Sequence, residues 1–295
     1  MSLQAAPSPR ATATTGMPDF AHVGYHRTGT NFLQERVFPA LKGQIYRPST
    51  SGWRFFADPD GFDAAAARSH YEAEQRNNPA GLPTLISAER LSGTVEADDL
   101  SVPEKLQQLN AAMRVIVVLR AQPDMFRSLY HLHVKGGGTL RFPDFVERLI
   151  AARRCDYAAM VARLIALFGR EAVLVLLYED LRANPERFVE DFCRFLGVAL
   201  PPGAASNRPV NAAGSPSELR LRRRLNATGA EGPLGTLGLV LARKADALSM
   251  VLAGRPLAPI ALDPLQAGIA ATYAESNHKL AAMVGRPLGE LGYPL

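Results

Sequence analysis

Four short apolar runs constrain the fold of this chain more than any other feature. None alternates apolar with polar residues, and this pattern is typical of strands that are covered on both faces. A shorter run, QIYR (44–47), is a candidate fifth strand. The four main runs read DFAHVGY (19–25), PTLIS (83–87), RVIVVLR (114–120) and AVLVLLYE (172–179).

Segments with helical character lie between these runs. The best marked is ANPERFVEDFCRFLG (183–197), in which Asn184 is the predicted N-cap, Pro185 takes the first helical position and Gly197 follows the last turn. Alternating strands and helices predict an α/β fold, a three-layer sandwich with a central parallel sheet. The other predicted helices span 31–41, 63–75, 103–110, 124–133, 142–150 and 157–168.

The pattern changes after Gly197. Residues 198–217 form a loop rich in Pro, Ala, Gly and Ser, and no later segment has the pattern of a strand. Residues 218–255 are predicted to be helical and basic, and 262–285 to be a helix with Asp263 as N-cap and Pro264 at its first position. We therefore predict a disordered tail over 1–17 and one domain over 18–295. That domain has an α/β core (18–200) and a mainly helical C-terminal cover (201–295).

Charge and hydropathy narrow the possible partners. The formal charge is +5 and 28 of the 33 basic residues are Arg, which suits oxyanion binding and equally an Arg-rich genomic composition. The charge is diffuse, with RLRRR (220–224) as its longest basic run, so no nucleic-acid partner is expected. No stretch reaches 18 uncharged apolar residues, and the N-terminal segment lacks an apolar core, so neither a membrane span nor a signal peptide is predicted.

The two cysteines give no indication of a metal site. Cys155 and Cys193 lie 38 residues apart, in stretches predicted to be helical, and neither has a neighbouring Cys or His at metal-ligand spacing. We expect both to be reduced core residues in a cytoplasmic protein. A structural metal is not expected.

The segment VGYHRTGTNF, at the end of the first strand, is the main candidate for function. Gly24 and Gly29 give the spacing G-x-x-x-x-G, and a strand, a glycine loop and a helix form an anion site because free N–H groups and the helix dipole face outward. A tight turn would explain the glycines equally well. The charge of Arg27 and the hydroxyls of Thr28 and Thr30 favour function. No Lys-Ser/Thr pair follows, so the loop does not fit a metal-held triphosphate.

This stretch resembles the 5′-phosphosulfate-binding loop of sulfotransferases. HVGYHRTGTNFLQ matches that loop through Arg27-Thr28-Gly29-Thr30-Asn31. RVIVVLRAQPDMFRSLYH resembles the family's 3′-phosphate-binding segment, with Arg120 at the strand end and Ser128 on the next helix. Further similarity to bacterial sulfotransferases lies in 85–93, 176–198 and 274–294. The resemblance implies a P-loop-like fold and the donor 3′-phosphoadenosine 5′-phosphosulfate (PAPS), without a metal.

The resemblance also implies roles in catalysis. Arg27 would stabilise the charge that develops on the leaving phosphate oxygen, in a place where most relatives carry Lys. Glu89 follows the strand LIS and is the candidate general base, although pairing with Arg90 or another Arg would explain it equally. His26 could contact phosphate or acceptor. Asn31 departs from the family's usual Thr/Ser; it could donate from its amide or cap the helix.

Other histidines and the acceptor are less constrained. His22 is expected to be packed within its strand. His131 and His133 share the helix of Ser128, and HVKGGGT (133–139) is interpreted as a mobile loop near the site. The acceptor would be a hydroxyl or amine of a glycan, lipid or small molecule. Because we find no C-terminal Arg-Lys-Gly motif, a non-catalytic binding protein stays possible, as does a P-loop kinase or nucleotidase. The oligomeric state is left open.

Overall fold

The four apolar runs form one parallel sheet in the computed structural model, which describes residues 16–48, 50–56, 61–78, 80–204, 215–229, 232–254 and 262–295. Its strands are β1 (Phe20–Gly24), β2 (Leu85–Ala88), β3 (Arg114–Leu119) and β4 (Val173–Leu177), in the order β2-β1-β3-β4. The order reverses between β1 and β3, which is where α/β proteins bind ligands at the carboxyl edge.

The candidate fifth strand is wrong. Tyr46 makes a single parallel bridge with Thr84, beside the start of β2, and Ile45 bridges back to Lys42. The Tyr46 N–H donates to the Pro83 carbonyl at 2.8 Å, and the Leu85 N–H donates to the Tyr46 carbonyl at 2.9 Å. Residues 44–47 therefore do not form a strand, because only Tyr46 pairs with the segment that leads into β2.

Helices cover both faces of the sheet and confirm the predicted three layers. The segment after β1 consists of α1 (Thr30–Phe32), a π-helical turn (Leu33–Val37) and α2 (Phe38–Ala40). The others described are α3 (Ala64–Gln75), α4 (Val102–Leu109), α5 (Gln122–Lys135), α6 (Phe142–Ala151), α7 (Tyr157–Phe168), α8 (Tyr178–Ala183), α9 (Pro185–Leu196), α10 (Pro216–Thr228), α11 (Pro233–Ala253) and α12 (Gln266–Val284).

Alternate residues of β3 supply the two cores. Val115 and Val117 pack with α4, α5, α7 and α12 on one face, whereas Ile116 and Val118 pack with the α1–α2 segment and α9 on the other. This division follows from the two-residue period of a strand. α9 has the predicted cap: the Asn184 side chain accepts from the Arg187 N–H, and its helix ends at Gly197 in the left-handed conformation.

Some predicted boundaries shift. α12 begins at Gln266, after a 3₁₀ turn over Asp263–Leu265, so the helix start predicted at Asp263 and Pro264 is wrong by one tight turn. Cys155 lies in the turn between α6 and α7 with φ of +69°, not in a helix, whereas Cys193 is helical and both are buried.

Only parts of the predicted tail (1–17) and of the predicted loop (198–217) lie within the described residues. Met17 is already buried in the core, so the folded part includes the last residue assigned to the tail. Residues 1–15 of that tail, and 205–214 of the predicted loop, lie outside the described residues. After β4, the described residues form helices and turns without a further strand. In the part of the chain that is described, no helix has both the length and the apolar content needed to cross a bilayer.

Candidate active site

The loop between β1 and α1 depends on both of its glycines. Gly29 is the N-cap of α1 with φ of +91°, in the left-handed region that glycine adopts without strain. A Cβ at Gly29 would lie 2.5 Å from Leu181 Cδ2, and one at Gly24 would lie 2.7 Å from Thr30 Oγ1. The glycines therefore permit a close turn packed against α8. Arg27, with φ of +68°, also takes the left-handed conformation.

One polar side chain of this loop is hydrogen-bonded within the loop, and other polar groups have no partner among the described residues. The Thr28 hydroxyl donates to the Tyr25 carbonyl at 2.7 Å and holds the turn from inside. Thr30 is buried, and its hydroxyl is without a hydrogen-bond partner among the described residues. In that same part of the chain, the N–H groups of residues 27–31 donate no hydrogen bond to a backbone carbonyl. Together with the dipole of the helical segment, these groups form a cradle that favours an anion.

Asn31 is the second residue of α1 and does not cap it. The helix begins at Thr30, Gly29 is the N-cap, and no side chain makes a cap hydrogen bond there. The predicted cap is wrong because the turn places glycine, not a side-chain acceptor, at the cap. Asn31 instead lines the cleft described below.

The two predicted phosphate-binding segments meet. Arg27 Nε donates to Ser128 Oγ at 2.9 Å, and Arg120 Nη1 donates to the Arg27 carbonyl at 3.1 Å. The Arg120 guanidinium carbon lies 4.4 Å from the centre of the Tyr178 ring, which holds the side chain by a cation–π contact. The Arg120 carbonyl accepts from Tyr157 Oη at 2.7 Å. We call Arg27, Arg120 and Ser128 the arginine cluster.

Arg120 retains binding capacity within this cluster. Its buried Nε has no partner among the described residues. Nearby, the Glu179 carboxylate accepts from the Ala121 N–H at 3.0 Å, and burial raises the pKa of that carboxyl. The turn that follows β3 is therefore held by hydrogen bonds to Glu179 and Tyr157. The Glu179 carboxylate also interacts electrostatically with the Arg120 guanidinium, and this charge opposes the effect of burial on the pKa of the carboxyl.

Glu89 pairs with His26. Glu89 opens the 3₁₀ turn Glu89–Ser92 after β2, and its carboxylate Oε2 lies 3.1 Å from His26 Nδ1. The alternative, in which Glu89 pairs with Arg90, is not what the structure shows, because the Arg90 guanidinium lies over the Trp53 ring, 5.1 Å from its centre. The candidate base and the histidine expected to contact phosphate or acceptor are thus in direct contact, although they are 63 residues apart in the chain.

An open cleft of about 850 Å³ lies beside this pair. His26, Asn31 and Glu89 line it. Residues of the loop 133–139, predicted to lie near the site, also line it, as do residues that sequence patterns did not mark. Ser87, one of these, bonds to His22 at 2.8 Å and to the Gln34 amide at 3.4 Å. The other lining residues are Gln34, Trp53, Ala88, Arg90, Val95, Glu96, Leu132, His133, Gly136, Gly137 and Gly138.

Three other histidines have pKa values that their surroundings lower. Burial, and then the charge of Arg47, lowers the pKa of His22 to about 3. Burial, followed by the charges of Arg27 and Lys135, lowers the pKa of His131 to about 4. Burial also lowers the pKa of His133, whose Nδ1 lies 3.7 Å from Glu96. His131 Nδ1 is buried without a hydrogen-bond partner among the described residues.

A buried ion pair supports the site and has no signal in the sequence. Arg154 is fully buried, pairs with Asp98 and lies over the Tyr25 ring, 5.0 Å from its centre. Asp98 also accepts from the Cys155 N–H at 2.9 Å. The pair connects the segment after β2 with the base of the glycine loop. In the sequence, Arg154 is one of two adjacent arginines, and nothing distinguishes it from a surface charge.

These features define a class of protein: an α/β group transferase whose anion site needs no lysine of the triphosphate-binding type. The sequence pattern of the sulfotransferase domain matches residues 17–209, and the chain belongs to this family. It is a sulfotransferase. Among curated protein sequences, none is significantly similar to it.

One solved structure shares the fold, and two others show weaker structural similarity. A sulfotransferase from Alicyclobacillus acidocaldarius is 19% identical, with a TM-score of 0.58, over 93% of this chain and 98% of that one. Mouse sulfotransferase SULT7A1 complexed with PAP is 16% identical, with a TM-score of 0.41, over 71% and 64%. The sulfotransferase domain of the Synechococcus PCC 7002 olefin synthase is 14% identical, with a TM-score of 0.36, over 78% and 99%.

Proposed function

We propose that this sulfotransferase moves a sulfuryl group from PAPS to a hydroxyl or amine of an acceptor bound in the open cleft. The observation that carries the proposal is the arginine cluster, in which Arg27 of the glycine loop bonds to Ser128 while Arg120 bonds to the Arg27 backbone. Two segments that resemble separate phosphate-binding elements of the family are thereby joined at the carboxyl edge of the sheet.

The groups around the loop fit the donor nucleotide. The N–H groups of residues 27–31 and the buried Thr30 hydroxyl lack partners within the described chain, which suits a 5′-phosphosulfate. The unpartnered Nε of Arg120 and the hydroxyl of Ser128 suit the 3′-phosphate, since a guanidinium binds phosphate through parallel hydrogen bonds. The Thr28 hydroxyl, already engaged with Tyr25, would contribute by shaping the loop.

The reaction needs charge stabilisation and a base. As the acceptor oxygen or nitrogen forms its bond to sulfur, the bond from sulfur to the 5′-phosphate oxygen breaks and the nucleotide leaves as the 3′,5′-bisphosphate. Arg27 would stabilise the charge on that leaving oxygen by hydrogen bonding, because its guanidinium stays protonated. The acceptor proton would pass to the His26–Glu89 pair, in which the carboxylate orients the ring.

The cleft suits an acceptor with several polar groups. Its walls combine the carboxylates of Glu89 and Glu96 and the amides of Asn31 and Gln34 with the ring of Trp53. A glycan, a glycolipid headgroup or a polar small molecule has hydroxyls for these groups and an apolar face for the ring. We also propose that residues 18–295 act as one domain and that the protein works in the cytoplasm, where its two buried, unpaired cysteines would stay reduced.

Nucleotide stabilisation tests the donor site. Adenosine 3′,5′-bisphosphate, without Mg²⁺, should raise the melting temperature, since ligand at 100 times its Kd adds about 2.7 kcal/mol to the free energy of unfolding. Arg120→Ala and Ser128→Ala should reduce this shift. The matched control is Arg127→Ala, which removes an α5 arginine whose ion-pair partner among the described residues is Asp124 on the same helix. An unchanged shift in Arg120→Ala would contradict the assignment.

Turnover tests the chemistry separately. Transfer of labelled sulfate from PAPS to a panel of glycans, glycolipids and small alcohols should be lost in Arg27→Ala while nucleotide binding is kept in part. Greater stabilisation by Mg·ATP than by the bisphosphate would instead support a kinase or nucleotidase. Nucleotide binding without transfer to any acceptor of a broad panel would support a non-catalytic binding protein.

A further inference from the structure

The helix α11 has an exposed apolar face. Leu237, Leu241 and Leu248 follow helical spacing and are 54%, 56% and 59% exposed, and Val251 and Leu252 are 82% and 76% exposed. Val240 borders the same face at 43%. These residues account for most of the exposed large apolar side chains in the described part of the chain, so the face is a continuous feature and not scattered surface residues.

The opposite face of α11 packs on α10. It includes small residues at helical spacing, Gly238, Ala242, Ala245 and Ser249, all partly buried, together with the half-buried Leu239 and the buried Asp246. A Cβ at Gly238 would lie 3.1 Å from Leu221 Cδ2 of α10, which shows how closely the helices approach. The sequence thus places its small residues toward the protein and most of its large apolar residues toward solvent, the reverse of an ordinary amphipathic surface helix.

In the hairpin formed by α10 and α11, the acidic side chains are buried, whereas the basic side chains are exposed or half-buried. Glu218 and Asp246, its two described acidic residues, are 3% exposed and bind Arg243 and Ser217 within the hairpin. Lys244 is exposed within the apolar face itself. With the arginines of α10, the described hairpin carries six basic residues against these two acidic ones: Arg220, Arg222, Arg223, Arg224, Arg243 and Lys244.

We propose that the α10–α11 hairpin docks on an anionic membrane surface, with the apolar face of α11 among the lipid chains. An amphipathic helix with leucines on one side and basic residues around it binds at the boundary between headgroups and acyl chains. Lys244 can extend its charged end to the headgroups while its stem stays apolar. Charge complementarity selects this occupant over a second copy of the chain, because two copies would bring like-charged hairpins together.

The hairpin is also hydrogen-bonded to a segment that forms part of the cleft wall. Arg223 Nη1 donates to the Thr139 carbonyl at 3.2 Å, and the Asn226 amide donates to the carbonyls of Val134 and Gly138, both at 2.9 Å. The segment that these bonds hold supplies Gly136–Gly138 to the cleft wall. A hairpin bound to lipid is therefore connected directly to the cleft, and lipid binding itself does not depend on the proposed reaction.

Vesicle sedimentation with the full chain, without nucleotide, tests the docking. The protein should sediment with phosphatidylcholine vesicles that contain about one third phosphatidylserine, and less with pure phosphatidylcholine. Leu241→Gln combined with Leu248→Gln should weaken binding by at least about tenfold, because both side chains lose apolar burial in lipid. Lys244→Gln should weaken it about fivefold, and added salt should do the same progressively.

The matched control is Leu200→Gln, which changes a leucine that is 38% exposed outside the hairpin and should leave vesicle binding unchanged. Circular dichroism of each variant checks that the surface substitutions leave the fold intact. Equal binding by the unmodified protein and the double leucine variant would show attraction to any polyanion, and would overturn the proposal. So would a concentration-dependent dimer that the same leucine substitutions abolish, with no vesicle binding, since a second copy would then cover the face.

Discussion

Acidification should destabilise this protein through His22, a fully buried histidine in the middle of β1. Its Nδ1 lies 2.8 Å from Ser87 Oγ, its ring meets Phe38 edge-on, and its Nε2 is buried without a partner among the described residues. Burial, and then the charge of Arg47, lowers its pKa from the ordinary 6.5 to about 3. The fold therefore requires a neutral ring.

The sign and size of the effect follow from this difference. The unfolded chain protonates His22 as the pH falls below about 6.5, whereas the folded chain does not until the pH approaches about 3. The stability contributed by the neutral ring is complete above the unfolded pKa and is lost progressively below it. Between about pH 7.5 and pH 5 the loss amounts to about 2 kcal/mol, because only the roughly 1.5 pH units below the unfolded pKa contribute and each is worth about 1.4 kcal/mol.

Urea unfolding at these two pH values measures the effect. His22→Asn removes the titrating group, at a packing cost that is nearly independent of pH, so its loss of stability on acidification should be smaller than that of the unmodified protein by about 2 kcal/mol. His278→Asn, at an exposed position, is the matched control and should retain the full loss. Equal losses in His22→Asn and the unmodified protein would refute the reasoning.

Two further stability predictions concern the supports of the site. Gly29→Ala should lower the free energy of unfolding by about 1–2 kcal/mol because its backbone is left-handed, and by a further amount because the new Cβ would approach Leu181. Gly285→Ala is the control: its backbone is also left-handed, but its Cβ would meet open space. In urea unfolding it should therefore show only the backbone cost. Equal effects of the two would exclude the Leu181 contact as a cause. Asp98→Asn should cost about 3–5 kcal/mol, because it leaves Arg154 buried without its charged partner, and a change below about 1 kcal/mol would contradict the buried ion pair.

Local patterns were sufficient for much of the fold. The four main strands, the α/β class and the capped helix at Pro185–Leu196 could be predicted because each depends on residues close together in the sequence. The errors arose where neighbours in space decide. Residues 44–47 form one bridge because register with β2 allows no more, and Cys155 lies in a turn whose carbonyl and N–H groups are held by other segments.

The sequence by itself determined the sheet, the glycine loop and the family, and it marked the residues whose roles in binding and catalysis remain predictions. Tertiary structure decided which of them meet. Arg27 bonds to Ser128 across 101 residues, and His26 contacts Glu89 across 63. Parallel strands bring such distant residues to one edge of the sheet, and no local pattern records which side chains will then lie within hydrogen-bonding distance. The exposed leucines of α11 show the same limit, since their spacing would equally suit a buried face, and only the packing of α10 on the small residues shows that they point outward.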